Sequence, residues 1–168
     1  MKDNSKANRD QVRLFIGIKI PLAGKSLEIY SKLKSGLSHS SINWVPTDNV
    51  HLTLKFIGNS PAYLINSIGK ALSKSVSDFH EFNLVLRSIG FFGKPNPTVV
   101  WIGMEDNPLL QEIFKIIETN LFEAGIEKET RKFSPHITSW GQVKYGYAEN
   151  IDRAKNQIKF VKVRYRLA

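Results

Sequence analysis

The alternation of apolar and polar positions along the chain predicts six strands. Successive side chains of a strand point to opposite faces, so alternation, or a short run of β-branched and apolar residues between turn residues, indicates a strand. This pattern occurs at residues 13–20, 49–58, 82–89, 99–104, 131–140 and 158–167. A short extended stretch is expected at 42–45. A turn-rich loop is expected at 90–97, where two Pro and two Gly fall close together.

Apolar residues that recur every three or four positions predict helices between these strands. The first covers about 22–37. The second is expected to begin at Ser60-Pro61, because Ser is a preferred N-cap and Pro fits the first helical position. The third begins at Asn107-Pro108 and stops at Gly125, and a further helix is expected at 147–157. The buried stripe of the second helix is expected to comprise Ile65, Ile68, Leu72 and Val76.

The order of these elements contains an internal repeat. Phe15-Ile16-Gly17-Ile18 corresponds to Trp101-Ile102-Gly103-Met104 at an offset of 86 residues, and one helix follows each copy. A strand–helix–strand unit used twice predicts an α+β fold with two similar lobes, in which antiparallel-rich sheets face a central cleft and helices lie outside. We expect residues 13–168 to form this single bilobal domain, and the polar residues 1–12 to be disordered.

The repeat also duplicates a pair of polar side chains. His51-Leu52-Thr53-Leu54 corresponds to His136-Ile137-Thr138-Ser139 at an offset of 85. On a strand, the imidazole and hydroxyl of each copy share one face, which Lys55 extends in the first copy and Trp140 in the second. A lone histidine on a strand is usually structural, but two copies with Thr at the same distance indicate a shared site. His39 and His80 lack such partners and are expected to be exposed.

Two imidazoles and two hydroxyls facing one cleft suit phosphate chemistry without a metal. The ordinary pKa of histidine, near 6.5, lets one ring act as a general base while the other acts as a general acid at neutral pH. Threonine hydroxyls can donate hydrogen bonds to the phosphate oxygens, which carry charge in the transition state. From these residues alone, either histidine could take either role.

Composition excludes several other chemistries. The 168 residues include no Cys, which excludes disulfides, thiolate nucleophiles and Cys-based zinc sites. Neither histidine motif has the spacing of a metal site, and no glycine-rich nucleotide loop is present. No apolar run approaches the ~20 residues of a membrane span, and no signal sequence is evident at the start, so a cytoplasmic location is expected.

The net charge of +9 bears on partners. Seven basic and two acidic residues lie between Lys144 and Ala168. This charge either keeps the protein soluble or attracts a polyanion, for which RNA is the first candidate.

The two motifs resemble the paired His-x-Thr-x signatures of the 2H phosphoesterases. The surrounding sequence is similar to the RNA 2′,3′-cyclic phosphodiesterases, also called the 2′-5′ RNA ligase family. The similarity covers about residues 13–140. It rests on Arg13 to Ile18, Trp44-Val45-Pro46, His51 to Gly58, and Arg131 to His136.

This resemblance implies hydrolysis of a terminal RNA 2′,3′-cyclic phosphate to a 2′-phosphomonoester, with no cofactor and no metal. His51 would be the proton donor and His136 the proton acceptor, while Thr53 and Thr138 would bind the phosphate. The partner would be RNA with a cyclic phosphate end, for example a tRNA fragment, or a small cyclic nucleotide. A monomer that does not contact a membrane is expected.

The chain departs from the family pattern after the second motif. Relatives place a basic residue there, whereas this chain has Ser139-Trp140-Gly141-Gln142. The phosphate-binding cation is therefore either missing or supplied by Lys55, and Trp140 either stacks on a base or packs at the lobe edge. Relatives also continue past the last strand, so one lobe is expected to lack an edge strand. These departures leave open the alternative of a weakly catalytic RNA- or nucleotide-binding module.

Overall fold

The computed structural model describes residues 10–38, 42–92, 99–140 and 161–165, with the backbone alone at 139–140 and 161–165. The helices are α1 Lys25–Gly36, α2 Leu64–Val76 and α3 Pro108–Glu123, and a short 3₁₀ turn covers Thr47–Asn49. The strands are β1 Gln11–Lys19, β2 His51–Pro61, β3 Phe82–Phe92, β4 Val99–Met104, β5 His136–Trp140 and β6 Val161–Tyr165. The helix predicted at 147–157 lies outside the described residues.

In the described part of the chain, the six strands form one antiparallel sheet in the order β1-β2-β5-β4-β3-β6. The units β1-α1-β2 and β4-α3-β5 are the two copies of the predicted repeat, and their last strands, β2 and β5, are neighbours at the centre. The α+β class with duplicated antiparallel lobes is confirmed. The two predicted sheets are joined into one, because Leu52 of β2 pairs with Ile137 of β5.

The core lies between one face of this sheet and the helices. Both central residues, Leu52 and Ile137, are fully buried there. Helix α3 contributes an apolar stripe in which Ile113, Ile117 and Leu121 are buried as predicted. The stripe starts at Leu110, not at the predicted Leu109. Burial of each such side chain stabilises the fold by about 1.5–3 kcal/mol. The described part of the chain contains no helix with the length and apolarity needed to cross a membrane.

The ends of α3 are those predicted from the sequence. Asn107 is the N-cap, and its side-chain oxygen accepts a hydrogen bond from the backbone N–H of Leu110 at 3.0 Å. Pro108 occupies the first turn. Gly125, just beyond the helix, has a φ of 87°, a conformation that glycine adopts without a steric penalty.

The start of the second helix was predicted wrongly. Ser60 and Pro61 belong to β2, because β1 begins at Gln11 and the register pairs Gln11 with Pro61. Helix α2 therefore starts at Leu64, and Ile65 of the predicted buried stripe is exposed. The same extension of β1 takes Gln11 and Val12 out of the predicted disordered segment.

Two other predicted boundaries were wrong. Strand β3 continues to Phe92, so Gly90 pairs with Trp101 of β4 instead of opening a loop. Strand β5 begins at His136 and not at residue 131.

Candidate active site

The central strand pairing brings the two predicted motifs together. Because Leu52 pairs with Ile137 in an antiparallel register, a step of one residue in each direction sets His51 level with Thr138, and Thr53 level with His136. All four side chains lie on the face opposite the buried Leu52 and Ile137, and all four are half-buried. His51 and His136 are then a diagonal cross-strand pair, a relation in which residues are roughly 7–8 Å apart.

The two imidazoles are oriented in the same way. Nδ1 of His51 lies 2.7 Å from the carbonyl oxygen of Asn49, and Nδ1 of His136 lies 2.7 Å from the carbonyl oxygen of Ser134. A carbonyl oxygen only accepts hydrogen bonds, so Nδ1 carries the proton in both rings. Within the described residues, no protein group is hydrogen bonded to either Nε2. Each Nε2 can therefore accept a proton from the neutral ring or donate one from the protonated ring.

Two cavities meet at Thr53 and Phe56. The first, of about 250 Å³, contains His51, Thr53 and Thr138 and is bordered by Arg13. The second, of about 420 Å³, contains His136 and is bordered by Glu129 and by residues 131–134. A larger open groove of about 750 Å³ lies beside α1 and contains no histidine. A further cavity of about 510 Å³ contains His80 but neither of the duplicated motifs.

Aromatic rings surround the histidines. Phe15, Phe56 and Phe92 are 50%, 56% and 47% exposed, respectively. The Phe15 ring lies 4.8 Å from that of His51, and the Phe92 ring lies 5.2 Å from that of His136, measured between centroids. Trp101 lies 6.1 Å from His136. None of these rings was predicted to belong to the site. For Phe15 and Trp101 the available signal was their place at the start of the two copies of the repeat.

Lys55 does not share the face of His51 and Thr53, contrary to the prediction. Its ammonium is buried, lies 2.6 Å from the carboxylate of Glu118 and donates to the carbonyl oxygen of Glu127 at 2.7 Å. The reason is a β-bulge: Gly17 pairs with Thr53 and Ile16 with Lys55, which leaves Leu54 as an extra residue on β2. Beyond the bulge, Lys55 is buried at the border of the His136 cavity, and Phe56 is exposed between the two cavities.

Lys55 also lines the His136 cavity, but its ammonium is paired with Glu118. Three further cations border the cavities. Arg13 lines the His51 cavity, and Arg131 and Lys132 line the His136 cavity. Arg131 binds both carboxylate oxygens of Glu129, at 3.0 and 2.7 Å. These hydrogen bonds lower the pKa of Glu129 to about 2, and the same contact raises the pKa of Arg131. The Glu129–Arg131 pair therefore stays ionised above about pH 3.

The remaining predicted residues are placed as follows. His80 is exposed, as predicted, while His39 lies outside the described residues. The backbone of Trp140 pairs with Val99, but its ring lies outside the described side chains, so its role stays a prediction. Among the residues that the structure describes, no group of three or more His, Asp or Glu could hold a metal ion.

Comparisons with known proteins agree with this fold. The model of the family described as LigT-like phosphoesterase matches residues 16–101, just over half of the chain. A protein of Thermotoga maritima named RNA 2′,3′-cyclic phosphodiesterase is 33% identical over 153 residues, which cover 89% of this chain and 79% of that protein. A protein of Methanocaldococcus jannaschii with the same name is 34% identical over 149 residues, which cover 88% and 80%.

A solved structure shares the fold. Escherichia coli LigT complexed with 3′-AMP aligns with a TM-score of 0.61 and 24% identity, over 82% of this chain and 77% of that one. Together with the family model and the two sequence relatives, these findings confirm the resemblance drawn from the paired motifs. The chain belongs to the LigT-like phosphoesterase family.

Proposed function

We propose that this protein hydrolyses the 2′,3′-cyclic phosphate at an RNA end to a 2′-phosphomonoester, and that His51 and His136 form its acid–base pair. The observation that carries the proposal is the matched orientation of the two rings. Each Nδ1 donates to a carbonyl oxygen two residues earlier, and each Nε2 is left available on the shared face. The names of the sequence relatives support the substrate class.

The reaction requires one proton to be accepted and another to be donated. Nε2 of a neutral imidazole accepts a proton from water as the water oxygen forms a bond to phosphorus. Nε2–H of the protonated imidazole then donates to the ribose 3′ oxygen as its bond to phosphorus breaks. The family resemblance assigns donation to His51 and acceptance to His136. Two groups in opposite protonation states give a rate that is bell-shaped in pH.

The hydroxyls of Thr53 and Thr138 would bind the non-bridging phosphate oxygens. By the central register, each hydroxyl lies across from the histidine of the other motif, so a phosphate between the two rings is within reach of both. Hydrogen bonds to a charged group contribute about 1.5–3 kcal/mol each. The guanidinium of Arg13 and the ammonium of Lys132 would supply the positive charge that was expected to be either missing or supplied by Lys55.

Metal independence is part of the proposal, because the two imidazoles supply both proton transfers. The test is incubation of an RNA oligonucleotide that ends in a 2′,3′-cyclic phosphate, with excess EDTA, followed by separation of the 2′- and 3′-phosphate products. We expect undiminished turnover and a 2′-phosphate. Loss of turnover in EDTA, or a 3′-phosphate product, would contradict the mechanism.

The same assay distinguishes the alternative functions. A substrate panel that includes small cyclic nucleotides shows whether the RNA chain is required. Tight RNA binding that survives His51→Ala, without turnover of any substrate, would instead favour a binding module.

A further inference from the structure

The duplicated aromatic-x-Gly sequence on β1 and β4 has a role beyond marking the repeat. We propose that Phe15 and Trp101, with Gly17 and Gly103, position the rings of His51 and His136. This inference rests on the proposed function, because it concerns the same histidine pair. Phe15 and Trp101 are positioning residues: each acts on the reaction through an imidazole.

A hydrogen bond at Nδ1 restrains an imidazole incompletely. The bond fixes the position of Nδ1 against the carbonyl oxygen of Asn49 or of Ser134. The ring can still tilt about Nδ1, which moves Nε2. A rigid surface against the side of the ring opposes the tilt. Misplacement of a reacting group by about 1 Å can cost on the order of 10²-fold in rate, so this second restraint matters for proton transfer.

In the first lobe the surface is the ring of Phe15. It lies 4.8 Å from the His51 ring at an interplanar angle of 33°. Gly17 leaves room for both rings, since a Cβ at this position would lie 3.3 Å from Cδ2 of His51 and 3.4 Å from Cε2 of Phe15. The exposure of Phe15 is consistent with a wall of the cavity and not with a core residue.

In the second lobe two rings lie beside His136: Phe92, at 5.2 Å, and the indole of Trp101, which matches Phe15 in the repeat. Trp101 lies 6.1 Å from the His136 ring at 61°, and 5.6 Å from the Phe92 ring. The indole lies over two glycines: a Cβ on Gly90 would be 1.9 Å from Cζ2 of Trp101, and a Cβ on Gly103 would be 2.9 Å from Cζ3. Gly103 is also the residue that pairs with His136.

The unsatisfied indole nitrogen supports a packing role for Trp101. Nε1 is buried and has no hydrogen-bond partner in the described part of the chain, and an unpaired buried N–H costs free energy. A phenylalanine would avoid this cost. We infer that the area of the indole, which spans Gly90 and Gly103 and reaches His136, accounts for Trp at this position.

A base-stacking platform is the competing role for an exposed aromatic ring, and the kinetic parameters separate the two. Loss of a stacking platform removes binding free energy that the bound substrate and the transition state share equally. KM then rises and kcat is unchanged. Loss of a positioning ring lowers kcat and leaves KM nearly unchanged. The variants are Phe15→Leu and Trp101→Leu, with Phe15→Tyr and Trp101→Phe as conservative replacements that keep a ring.

We expect kcat on the cyclic phosphate oligonucleotide to fall roughly 10- to 100-fold in each Leu variant, with KM within about twofold. Phe15→Tyr is expected to keep most of the wild-type rate, whereas Trp101→Phe, whose ring is smaller than the indole, is expected to keep only part of it. Phe122→Leu is the matched control, because Phe122 is a 58% exposed phenylalanine on α3 outside both cavities. A rise in KM at unchanged kcat would overturn the proposal.

A second readout does not depend on turnover. The ring protons of His51 experience the ring current of Phe15, so Phe15→Leu is expected to shift their NMR resonances and to leave those of His136 unchanged. Trp101→Leu is expected to shift the His136 resonances and to leave those of His51 unchanged. Unchanged His51 and His136 resonances in both variants would overturn positioning. If the wild-type protein shows no turnover, the proposed function fails, and these resonances alone decide whether Phe15 and Trp101 lie against the two imidazoles.

Discussion

Leu52 pairs with Ile137 at the centre of the sheet, and this pair sets the geometry of the site. It joins the last strand of one lobe to the last strand of the other. Both side chains are fully buried, so their neighbours along each strand face the cleft. A shift of one residue in this pairing would turn His51 or His136 into the core. The register is therefore fixed by the same burial that stabilises the fold.

The threonine hydroxyls are expected to contribute less to the rate than the imidazoles. Thr53→Val and Thr138→Val keep the shape of the side chain and remove the hydroxyl. Each is predicted to lower kcat/KM by roughly 10- to 150-fold, equivalent to about 1.5–3 kcal/mol. Thr→Ser at the same positions retains the donor and is the control. An unchanged kcat/KM in both Val variants would remove the threonines from phosphate binding.

The buried ion pair of Lys55 and Glu118 is expected to stabilise the fold only as a pair. Lys55→Met leaves the carboxylate of Glu118 buried without its cation, and we predict a loss of about 3–5 kcal/mol in the free energy of unfolding. Lys55→Met combined with Glu118→Leu is expected to recover part of this loss. Urea unfolding followed by circular dichroism gives both values.

The exposed pair of Lys74 and Glu123, at 3.5 Å, is the matched control. Lys74→Met is predicted to change the free energy of unfolding by less than about 1 kcal/mol. Equal losses for Lys55→Met and Lys74→Met would refute the distinction between the buried and the exposed pair.

The carboxyl of Glu129 is predicted to titrate with a midpoint near pH 2. The hydrogen bonds from Arg131 lower the pKa from 4.5 to about 2. Because the folded-state pKa is lower than that of the unfolded chain, the pair stabilises the fold above about pH 4.5, and this contribution is lost as the pH falls toward 2. NMR titration of the carboxyl carbon measures the midpoint. Arg131→Gln is expected to return the midpoint toward 4.5, and the control Lys132→Gln is expected to leave it unchanged. A wild-type midpoint near 4.5 would contradict the contact between Glu129 and Arg131.

The stacking of Trp101 on Gly90 predicts opposite effects for two glycine substitutions. Gly90→Ala places a Cβ 1.9 Å from the indole, and the resulting overpacking is expected to cost about 1–3 kcal/mol. Gly69→Ala, in an exposed turn of α2 with no atom within 4 Å of the new Cβ, is expected to stabilise by about 0.4–1 kcal/mol. Thermal unfolding compares the two. A Gly90→Ala protein as stable as the wild type would mean that the indole does not lie on Gly90.

The parts of the site that the sequence predicted are those set by local spacing. His51 and Thr53, like His136 and Thr138, share a face because they are two residues apart on a strand, and their duplication predicted that the two lobes would meet. Helix α3 was predictable from its Asn107-Pro108 start and regular apolar stripe. None of these inferences required the register between strands.

The features that were predicted wrongly or not predicted, at Lys55, Phe56 and Phe92, depend on the register between strands. The bulge at Leu54 is set by how β1 pairs with β2, and because of it Lys55 is buried against Glu118 while Phe56 is exposed between the cavities. Likewise, the pairing of Gly90 with Trp101 extends β3 and brings Phe92 beside His136. Alternation read from one strand cannot reveal an extra residue relative to its partner.

The most direct test of the account is the rate of cyclic phosphate hydrolysis in His51→Ala, His136→Ala and the double variant, with His80→Ala as the control for an exposed histidine. If one ring donates and the other accepts a proton in the same step, each single replacement is expected to lower kcat by on the order of 10²–10⁴-fold. The double variant is then expected to be scarcely slower than either single variant. Near-normal turnover in a correctly folded His51→Ala or His136→Ala protein would contradict the paired mechanism.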